Sequence, residues 1–526
     1  MLKRLRRAFG GGSDIRKGTK IVVNCEKLEH RIALLEDGVL EEYNVERTAD
    51  DMIVGSIYKG RVKNIEPGLK AMFVDIGIEK NAFLHFWDAI PAALDGTLEE
   101  ITRKGKSSSR QKKITSKDIP SIYPVGSEVM VQVTKGSIGN KGPRVTTNIS
   151  LPGRFMVLMP LNDQFGISRK IESPEERKRL RRIMEKLTVP EGMGVILRTV
   201  AQGKRARYFV RDLHMLLEQW DEIAELRDKK PAPIRVFEEP GLIERTVRDF
   251  LTDEVDEVIC DDIEQVEFMK ELASQISRRS RKRISHFQSS EHIFHKFGIQ
   301  RQIDDAFFRQ VWLKCGGYLV IDETEAMISV DVNTGRNRGG KNTDKMILET
   351  NVEAAQEVAR QLRLRNIGGL VVVDFIDMKN RKDQQLVYKT MRERLYKDKA
   401  KTQVLQISQL GLMEMTRQRL QESLTQSMYE PCTYCQGRGK IKSTETMSVE
   451  LQRSINAIMQ KYPESQHDLL IIVNPDVLHR LRTEDDKLLV ELERKHHGRL
   501  TFRSDPTYHR EQVMISNAAT GEEFKL

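Results

Sequence analysis

The chain has 526 residues, and its 87 lysines and arginines exceed its 77 aspartates and glutamates, which gives a formal net charge of +10. No apolar run approaches the roughly 20 residues that cross a bilayer, and the basic start, MLKRLRRAFGGG, lacks the apolar core of a secretory signal. Five scattered cysteines in a chain of this length do not indicate a disulfide framework, and they are typical of a protein in a reducing cytosol. These features exclude membrane-spanning and secreted classes and predict a cytoplasmic, multidomain protein that tolerates polyanions.

Short strands separated by turns dominate the first 150 residues. Apolar, β-branched runs predict a short β element near the start, at 20–25, 31–35 and 39–43. Further runs predict a small Greek-key barrel, with strands at 56–65, 71–76, 82–86, 128–134 and 144–150. Between them, the insert 103–117 is basic, rich in serine and free of acids, which predicts a surface loop.

From Ser173 onward the apolar period becomes helical. Pro174 after Ser173 as N-cap predicts one helix, and a second helix is predicted at 213–229. The next segment is predicted to contain a strand at 318–322, a strand at 326–333, a helix at 341–365, a strand at 370–374 and a helix at 382–397. This order is typical of a mostly parallel α/β sheet.

Two acids in this segment form a candidate metal site. Side chains alternate along a strand, so Asp331 and Asn333 share one face while their apolar neighbours take the other. The strand 370–374 ends on Asp374, and a right-handed crossover would bring both acids to the carboxyl edge of the sheet. Two carboxylates and an amide suit Mg²⁺, which keeps most of its waters. The sequence leaves open a structural alternative, in which both acids are solvated residues at strand ends.

A C-x-x-C-x-G-x-G motif begins at Cys432 and continues through Cys435. Its spacing lets both thiolates hold one Zn²⁺, and its glycines allow a tight turn behind them. The other cysteines, Cys25, Cys260 and Cys315, are isolated in the sequence and are expected to be small buried hydrophobes. The same pair from a second subunit would complete four sulfurs, which predicts a two-fold homodimer. A redox pair is the alternative, but no thioredoxin-like βαβ context is expected around it.

Aromatic and basic residues of the predicted barrel indicate a nucleic-acid surface. Phe73 and Phe83 fall on its strands, and Lys135 and Lys141 flank a glycine-containing loop. An aromatic platform beside lysines is how OB folds hold single-stranded nucleic acid, because bases stack on the rings and phosphates meet the charges. Taken alone, the two aromatics are also compatible with a place in the barrel core.

Four motifs together resemble the catalytic half of the ribonuclease E/G family: VDVNTGR at 330–336, RQLRLR at 360–365, GGLVVVDFIDM at 368–378 and the cysteine pair. The similarity runs from about residue 20 to the C-terminus, and the chain is more similar to members without a long scaffold tail. It implies a Mg²⁺-dependent endoribonuclease of RNA processing and decay that cuts single-stranded RNA. It also implies zinc-linked homodimers, with homotetramers as a further possibility.

The resemblance implies an architecture of multidomain α/β and α+β class. Its parts are, in chain order, an RNase H-like domain (1–51, completed by 244–306), an S1-class OB-fold RNA-binding domain (52–147), a 5′-sensor region (148–243), a DNase I-like catalytic domain (307–428), a zinc link (429–442) and a small α+β domain (443–526).

Carried over position by position, the resemblance implies roles for single residues. Asp331 and Asp374 match the family's Mg²⁺ ligands, and Asn333 matches the amide that orients the first. Three residues match RNA contacts of the OB fold: Phe73, Phe83 and Lys141. The remaining matches belong to the pocket that senses a 5′-monophosphate: Arg198 and Thr199 in the pocket, Gly153 and Val157 as its backbone and packing partners, Arg169 as a nearby basic contact, and Lys401 where an arginine is usual. A lysine cannot form the two parallel hydrogen bonds that an arginine forms with a phosphate, so the strength of 5′-monophosphate sensing is left open.

The predicted activity is hydrolysis of RNA phosphodiesters to 5′-phosphate and 3′-hydroxyl ends, with a preference for 5′-monophosphorylated substrates. A 5′-triphosphate would be bulkier and more charged, and a 5′-hydroxyl would leave the pocket's donors unpaired. The alternative from another class is a non-catalytic RNA-binding scaffold or RNA chaperone in which the acids are structural. That alternative predicts salt-sensitive RNA binding without a cleavage product.

Overall fold

The computed structural model describes residues 17–48, 53–91, 98–101, 115–137, 141–252, 254–276, 278–324, 326–336, 343–396, 398–419, 423–462 and 468–524. The chain divides into two compact units, Met1–Ser427 and Met428–Leu526. Most of the insert predicted as a surface loop at 103–117 lies outside the described residues. No helix within the described ranges is long and apolar enough to cross a membrane.

The strands of the described residues are, in chain order, β1 (Thr19–Cys25), β2 (Glu29–Glu36), β3 (Val39–Arg47), β4 (Ile57–Glu66), β5 (Ala71–Asp75), β6 (Ala82–His85), β7 (Leu98–Glu100), β8 (Glu128–Lys135), β9 (Arg144–Thr146), β10 (Leu151–Pro152), β11 (Met156–Met159), β12 (Phe165–Ser168), β13 (Gly194–Leu197), β14 (Ile234–Phe237), β15 (Glu257–Cys260), β16 (Ile284–His286), β17 (Gln310–Trp312), β18 (Tyr318–Glu323), β19 (Met327–Asn333), β20 (Gly369–Asp374), β21 (Thr402–Val404), β22 (Leu412–Arg417), β23 (Leu469–Val473), β24 (Leu500–Ser504) and β25 (Val513–Asn517).

The α-helices of the same residues are α1 (Ile119–Ile122), α2 (Pro174–Lys186), α3 (Ala206–Lys229), α4 (Leu242–Asp249), α5 (Ile263–Ile276), α6 (Arg278–Arg281), α7 (Ile293–Lys296), α8 (Ile299–Ala306), α9 (Thr343–Leu364), α10 (Arg381–Tyr396), α11 (Leu424–Met428), α12 (Thr444–Lys461), α13 (Pro475–Thr483) and α14 (Asp486–His496). Short 3₁₀ turns lie at Pro67–Leu69, Phe86–Ala89 and Thr199–Ala201.

Two distant chain segments build the first sheet, which we call the split sheet. Its order is β16-β15-β1-β2-β3, with β1 parallel to β15 and antiparallel to β2. Asp37 and Gly38 both have positive φ in the two-residue turn between β2 and β3, as a tight hairpin requires. Helices cover both faces, so Ile21, Val22 and Val23 of β1 are all fully buried. This double burial explains why three consecutive residues of β1, at 21–23, are apolar instead of alternating with polar residues.

The predicted barrel is present and closed. Strands β4, β5, β6, β9 and β8 follow one another, and β8 also pairs with β4. Its interior holds apolar side chains, among them Val62, Met72, Leu84 and Val131. A strand from beyond the predicted boundary, β14, pairs with residues 57–59 at the start of β4. A mixed α/β chain that contains a five-stranded closed barrel agrees with the expected multidomain α/β and α+β class. The boundaries and identities of the single domains stay predictions.

A second five-stranded sheet, in the order β10-β11-β13-β12-β7, packs against α2 and α3. The Ser173 side chain accepts a hydrogen bond from the Glu176 backbone N–H, so the predicted N-cap of α2 is confirmed. Helix α3 begins at Ala206, seven residues before the predicted start at 213. The buried stripe of Leu213 and Leu216 extends back to Phe209, which is fully buried, and this burial explains the roughly two additional turns of the helix.

The sheet that carries the candidate acids has six strands in the order β17-β18-β19-β20-β22-β21. The prediction of a mostly parallel sheet is wrong, because only β19 and β20 are parallel among the paired strands of this sheet. The remaining neighbours pair antiparallel, as hairpin connections allow. Buried residues of α9 and α10 pack on one face, where Ile328, Val330 and Val332 point. Asp331 lies on the opposite face and is exposed.

The C-terminal unit contains a three-stranded sheet in the order β24-β23-β25 with its own apolar core. Strand β23 is parallel to β24, and α13 and α14 connect them, which makes a βαβ unit. In the central strand, β23, Leu469, Ile471 and Val473 are fully buried. The side chain of Ser443 accepts a hydrogen bond from the Thr446 backbone N–H and caps α12.

Candidate catalytic site and nucleic-acid surface

The structure brings the two candidate acids together on neighbouring parallel strands. Asp331 of β19 and Asp374 of β20 are register partners, and both are exposed on the open face of the six-stranded sheet. Adjacent strands lie about 4.8 Å apart, so two side chains that leave partner positions on one face can reach a common point. Asp374 is the last residue of β20, which places the pair at that strand's carboxyl end.

Polar contacts and charge define the surroundings of the two acids. The Asn333 Nδ2 group donates a hydrogen bond of 2.7 Å to Oδ2 of Asp331 and so orients this carboxylate. Partial burial and the negative charges of Asp331 and Asp377 raise the pKa of the Asp374 carboxyl. Three acids of like charge therefore influence one another here, and a bound cation would relieve their repulsion.

The loop after Asp374 is held by a buried amide that the sequence reading missed. Asn351 of α9 is fully buried, and its Nδ2 group donates to the Ile376 carbonyl at 2.8 Å. Its Oδ1 atom accepts from the Ile376 backbone N–H at 3.1 Å. This two-way contact fixes the path of the chain between Asp374 and Asp377. A polar residue inside an otherwise apolar helical stripe is the sequence signal that could have revealed it.

An aromatic and basic group beside the acids was also missed. Tyr318 of β18 is the register partner of Asn333, and Trp312 of β17 is the register partner of Tyr318. The Trp312 and Tyr318 ring centroids lie 5.3 Å apart, and the Arg336 guanidinium lies 5.4 Å from the Trp312 ring. Trp312 is exposed, so this cluster offers a stacking surface on the same face as the carboxylates.

The two barrel aromatics form a pair on the outside of the barrel. Phe73 and Phe83 are register partners on β5 and β6, with ring centroids 5.9 Å apart in an edge-to-face arrangement. Both are half-buried, whereas their strand neighbours Met72 and Leu84 point into the interior. The alternative that the two aromatics are core residues is therefore wrong: they lie on the outer face, where a base can approach.

Basic side chains lie next to this aromatic pair. Arg144 of β9 is the register partner of both Phe83 and Lys135, and its guanidinium pairs with Asp88 at 2.8 Å. The sequence did not reveal Arg144, because it lies next to Phe83 only through the parallel pairing of β6 with β9. Lys135 and Lys141 are both exposed, and the loop that they flank lies partly outside the described residues.

Four of the candidate 5′-sensor residues lie together on the second sheet. One guanidinium nitrogen of Arg198 donates to the Gly153 carbonyl at 2.6 Å and to Oδ1 of Asp249 at 2.7 Å. Val157 pairs with Ile196, two residues before Arg198, and Thr199 follows Arg198 with an exposed side chain. A Cβ atom at Gly153 would lie 2.7 Å from the Asp212 carboxylate, so glycine is required at this close approach.

The two outer members of this set come from other segments. Arg169 directly follows β12, which runs parallel to β13, so it emerges at the same edge as Arg198 and Thr199. Lys401 directly precedes β21. Three residues before it, the Asp398 carbonyl accepts a hydrogen bond of 2.8 Å from the amino group of Lys170, which lies two residues beyond β12. Although burial opposes it, the charges of Arg198 and Arg248 lower the pKa of Asp249, so this edge carries a stable ion pair.

The motif cysteines lie in a turn of the C-terminal unit. The Gly439 backbone N–H donates to the Cys435 sulfur at 3.3 Å, and Gln436 and Gly437 both have positive φ. Backbone hydrogen bonds from Cys435 and Tyr434 lower the pKa of the exposed Cys432 thiol. Such a turn stabilises thiolates and suits either a metal or a reactive thiol.

Two of the remaining cysteines depart from expectation. Cys25 and Cys260 are isolated in the sequence but meet in the fold, where their sulfur atoms lie 3.8 Å apart across the β1–β15 pair. Their proximity depends on the pairing of two strands that are distant in the chain, and no local sequence pattern predicts such a pairing. Cys260 is buried as expected, whereas Cys25 is half-buried. Cys315 is half-buried, and its sulfur lies 3.9 Å from the Thr350 hydroxyl.

Comparison with known proteins decides the family. The model of the ribonuclease E/G family matches residues 150–420. The chain is 38% identical to ribonuclease G of Escherichia coli K12 over 496 residues, which cover 94% of this chain and 99% of the relative. The chain belongs to the ribonuclease E/G family. The resemblance drawn from the four motifs is thereby confirmed, and the predicted enzyme class is that of the family.

Further relatives support the same assignment. Ribonuclease G of Haemophilus influenzae is 35% identical over 497 residues, again 94% of this chain and 99% of the relative. Ribonuclease E of Escherichia coli K12 is 36% identical over 442 residues, which cover 83% of this chain but 40% of that protein. The similarity to ribonuclease E is thus confined to a part of the longer relative.

A second family model, described as the thioredoxin-like domain of RNase E/G, matches residues 431–518. The expectation that no thioredoxin-like context surrounds the cysteine pair is therefore wrong. The βαβ unit of β23 and β24 lies in the matched region, although Cys432 and Cys435 precede α12 rather than begin a helix.

Proposed function

We propose that this chain is an endoribonuclease that hydrolyses single-stranded RNA with Mg²⁺ held by Asp331 and Asp374. The observation that carries the proposal is the register of β19 and β20, which sets the two acids side by side on an exposed sheet face. Family membership supports the reaction class. Cleavage would leave 5′-phosphate and 3′-hydroxyl ends in RNA processing and decay.

The donor set fits magnesium. Mg²⁺ prefers oxygen ligands and is usually bound through one or two carboxylates with several waters retained. Asp331 and Asp374 supply the carboxylates, and Asn333 holds Asp331 in one orientation through its 2.7 Å hydrogen bond. When bound at such a site, the ion activates water and stabilises charge on the phosphate oxygens. Asn351 keeps the loop after Asp374 in place, so the acids need little rearrangement to bind a cation.

The RNA would be held by two surfaces of aromatic and basic character. Phe73 and Phe83 on the barrel would stack with bases, while Lys135, Lys141 and Arg144 would meet phosphates. Near the acids, Trp312 and Tyr318 would stack with a base close to the scissile bond, with Arg336 beside them.

The 5′ end would be recognised at the edge of the second sheet. Arg198 is positioned there by Gly153 and Asp249, and the exposed Thr199 hydroxyl lies next to it in sequence. Arg169 and Lys401 would add positive charge. We propose that a 5′-monophosphate binds this group, which gives the preference for monophosphorylated substrates.

An Asp374→Asn variant tests the catalytic assignment. We expect it to bind single-stranded RNA as the unaltered protein does, but to lose cleavage by several orders of magnitude, because the neutral amide binds Mg²⁺ poorly. Labelled RNA incubated with Mg²⁺ or with EDTA and separated on a denaturing gel gives the rates, and fluorescence anisotropy gives the affinity.

The matched control is Asp322→Asn, which makes the same change on β18 of the same sheet. The Asp322 carboxylate accepts two hydrogen bonds from Arg309, at 2.5 and 2.6 Å. We expect its replacement by asparagine to leave the cleavage rate unchanged. Cleavage by the Asp374 variant as fast as by the control would remove Asp374 from the catalytic site. Salt-sensitive RNA binding by the unaltered protein without any cleavage product would favour the RNA-binding scaffold instead.

A further inference from the structure

A second cluster of potential metal ligands lies at the carboxyl edge of the split sheet. Cys25 ends β1, Cys260 ends the parallel neighbour β15, and Asp261 follows it. One ligand atom from each of these three residues lies within 4.8 Å of the others. Cys260 is fully buried, and Cys25 and Asp261 are half-buried, so the cluster is largely shielded from solvent.

The distance between the two sulfurs fits a shared metal and not a disulfide. Two thiolates at about 2.3 Å from a tetrahedral Zn²⁺ lie about 3.8 Å apart, and the observed separation of Cys25 Sγ and Cys260 Sγ is 3.8 Å. A disulfide needs about 2.05 Å between sulfurs and Cα atoms less than about 7 Å apart. Cys25 lies two residues beyond Val23, the register partner of Cys260, which places the Cα atoms about 8 Å apart.

The ligand atoms are already oriented by hydrogen bonds. Asp261 accepts from the Cys25 backbone N–H at 2.9 Å and from the Asn24 side chain at 2.6 Å. Arg31 donates in turn to Asn24 at 2.8 Å. The Cys260 sulfur accepts from the Asp262 backbone N–H at 3.4 Å. Hydrogen-bonded carboxylates and thiolates of this kind are typical of protein metal sites, because outer contacts fix the ligands.

Two histidines stand on the neighbouring strands. His286 is the register partner of Cys260 and His30 is the register partner of Cys25, so all four side chains leave the same face. The Nδ1 atoms of both histidines are buried, and no described residue forms a hydrogen bond with either atom. His286 Nε2 lies 3.3 Å from the Asp261 carbonyl, which can only accept, so its Nδ1 carries the free lone pair.

We propose that Cys25, Cys260 and Asp261 bind a Zn²⁺ ion, with a water in the fourth position or, after a rotation of its side chain, His286. Zinc accepts this mixture of sulfur, oxygen and nitrogen ligands. The site is structural, because it joins the ends of two strands that lie 235 residues apart in the chain. It is separate in sequence from the cysteine pair at 432–435 and from the proposed Mg²⁺ ligands.

The zinc content of full-length variants tests the proposal. After loading with Zn²⁺ and gel filtration, Cys25→Ser and Cys260→Ser are each expected to lose about one Zn²⁺ per chain, measured by mass spectrometry of the metal. Cys315→Ser is the matched control and is expected to lose none. Circular dichroism verifies that each variant is folded.

A second arm keeps the proposed ligands intact. The double variant Cys432→Ser, Cys435→Ser is expected to retain about one Zn²⁺ per chain and, with Co²⁺, to show the near-ultraviolet absorption of a cobalt–thiolate bond. Absence of both zinc and this absorption from the double variant overturns the proposal without depending on how the Cys25 variant folds. Recovery of Cys25 and Cys260 as a disulfide-linked peptide from unreduced protein overturns it as well.

Discussion

At the residue scale, Arg198 shows how hydrogen bonds fix the orientation of a charged side chain. Its guanidinium donates to the Gly153 carbonyl and to Asp249, so it is held in one orientation, as binding of the proposed 5′-phosphate would require. Asp212 accepts three backbone N–H groups at 154–156 and so shapes the turn that presents Gly153. Burial raises the pKa of Asp212, and these N–H groups oppose that rise. The neighbouring Thr199 hydroxyl is exposed and can add one hydrogen bond to a 5′-phosphate.

Replacement of Thr199 by alanine therefore tests the proposed 5′-end preference without breaking the Arg198 contacts. One hydrogen bond to a charged group contributes about 1.5–3 kcal/mol, so we expect the ratio of cleavage rates for 5′-monophosphorylated over 5′-hydroxyl RNA to fall roughly tenfold or more. Initial rates on one oligonucleotide with each 5′ end give this ratio. Thr501→Ala, at an exposed position of β24, serves as the control. A ratio unchanged in the Thr199 variant would remove that hydroxyl from the pocket.

At the scale of elements, strand pairing decides which side chains meet. The alternation of Ile328, Val330 and Val332 was enough to assign Asp331 to the opposite face, and the helix between the strands was enough to predict the convergence with Asp374. The antiparallel pairing of β20 with β22 was not predictable, because the helix α10 between them gives no signal of strand direction. The same limit hid Arg144, whose approach to Phe83 depends on a pairing between distant strands.

The outer face of the barrel gives a prediction at this scale. Stacking of a base on an aromatic ring contributes about 1–3 kcal/mol, so Phe83→Ala is expected to weaken single-stranded RNA binding at least about fivefold. Fluorescence anisotropy in EDTA at fixed salt measures the affinity without cleavage. Leu69→Ala, at an exposed apolar residue in the turn between β4 and β5, is the control. Equal affinities of the two variants would place the RNA elsewhere.

At the scale of the whole molecule, the cysteine pair at 432–435 bears on assembly. One chain supplies two thiolates in this turn, whereas structural zinc is almost always bound by four ligands. We expect Cys432→Ser to convert a zinc-linked dimer into monomers, with the molar mass measured by light scattering after size exclusion. Chelation of zinc should have the same effect on the unaltered protein, and Cys315→Ser should have none. A dimer that survives both treatments would be held together by other surfaces, and the redox alternative for the pair would gain support.

The division of the split sheet has a consequence for the order of events during synthesis. Strand β1 reaches its neighbour β15 only after more than two hundred intervening residues have left the ribosome. Those residues include all strands of the barrel, which can close on its own partners in the meantime. Until β15 has been synthesised, the edge of β1 that pairs with β15 stays unpaired. Contacts between residues so far apart in sequence also form slowly. Nascent chains stalled between residues 240 and 257 should therefore carry a folded barrel and an aggregation-prone N-terminal segment.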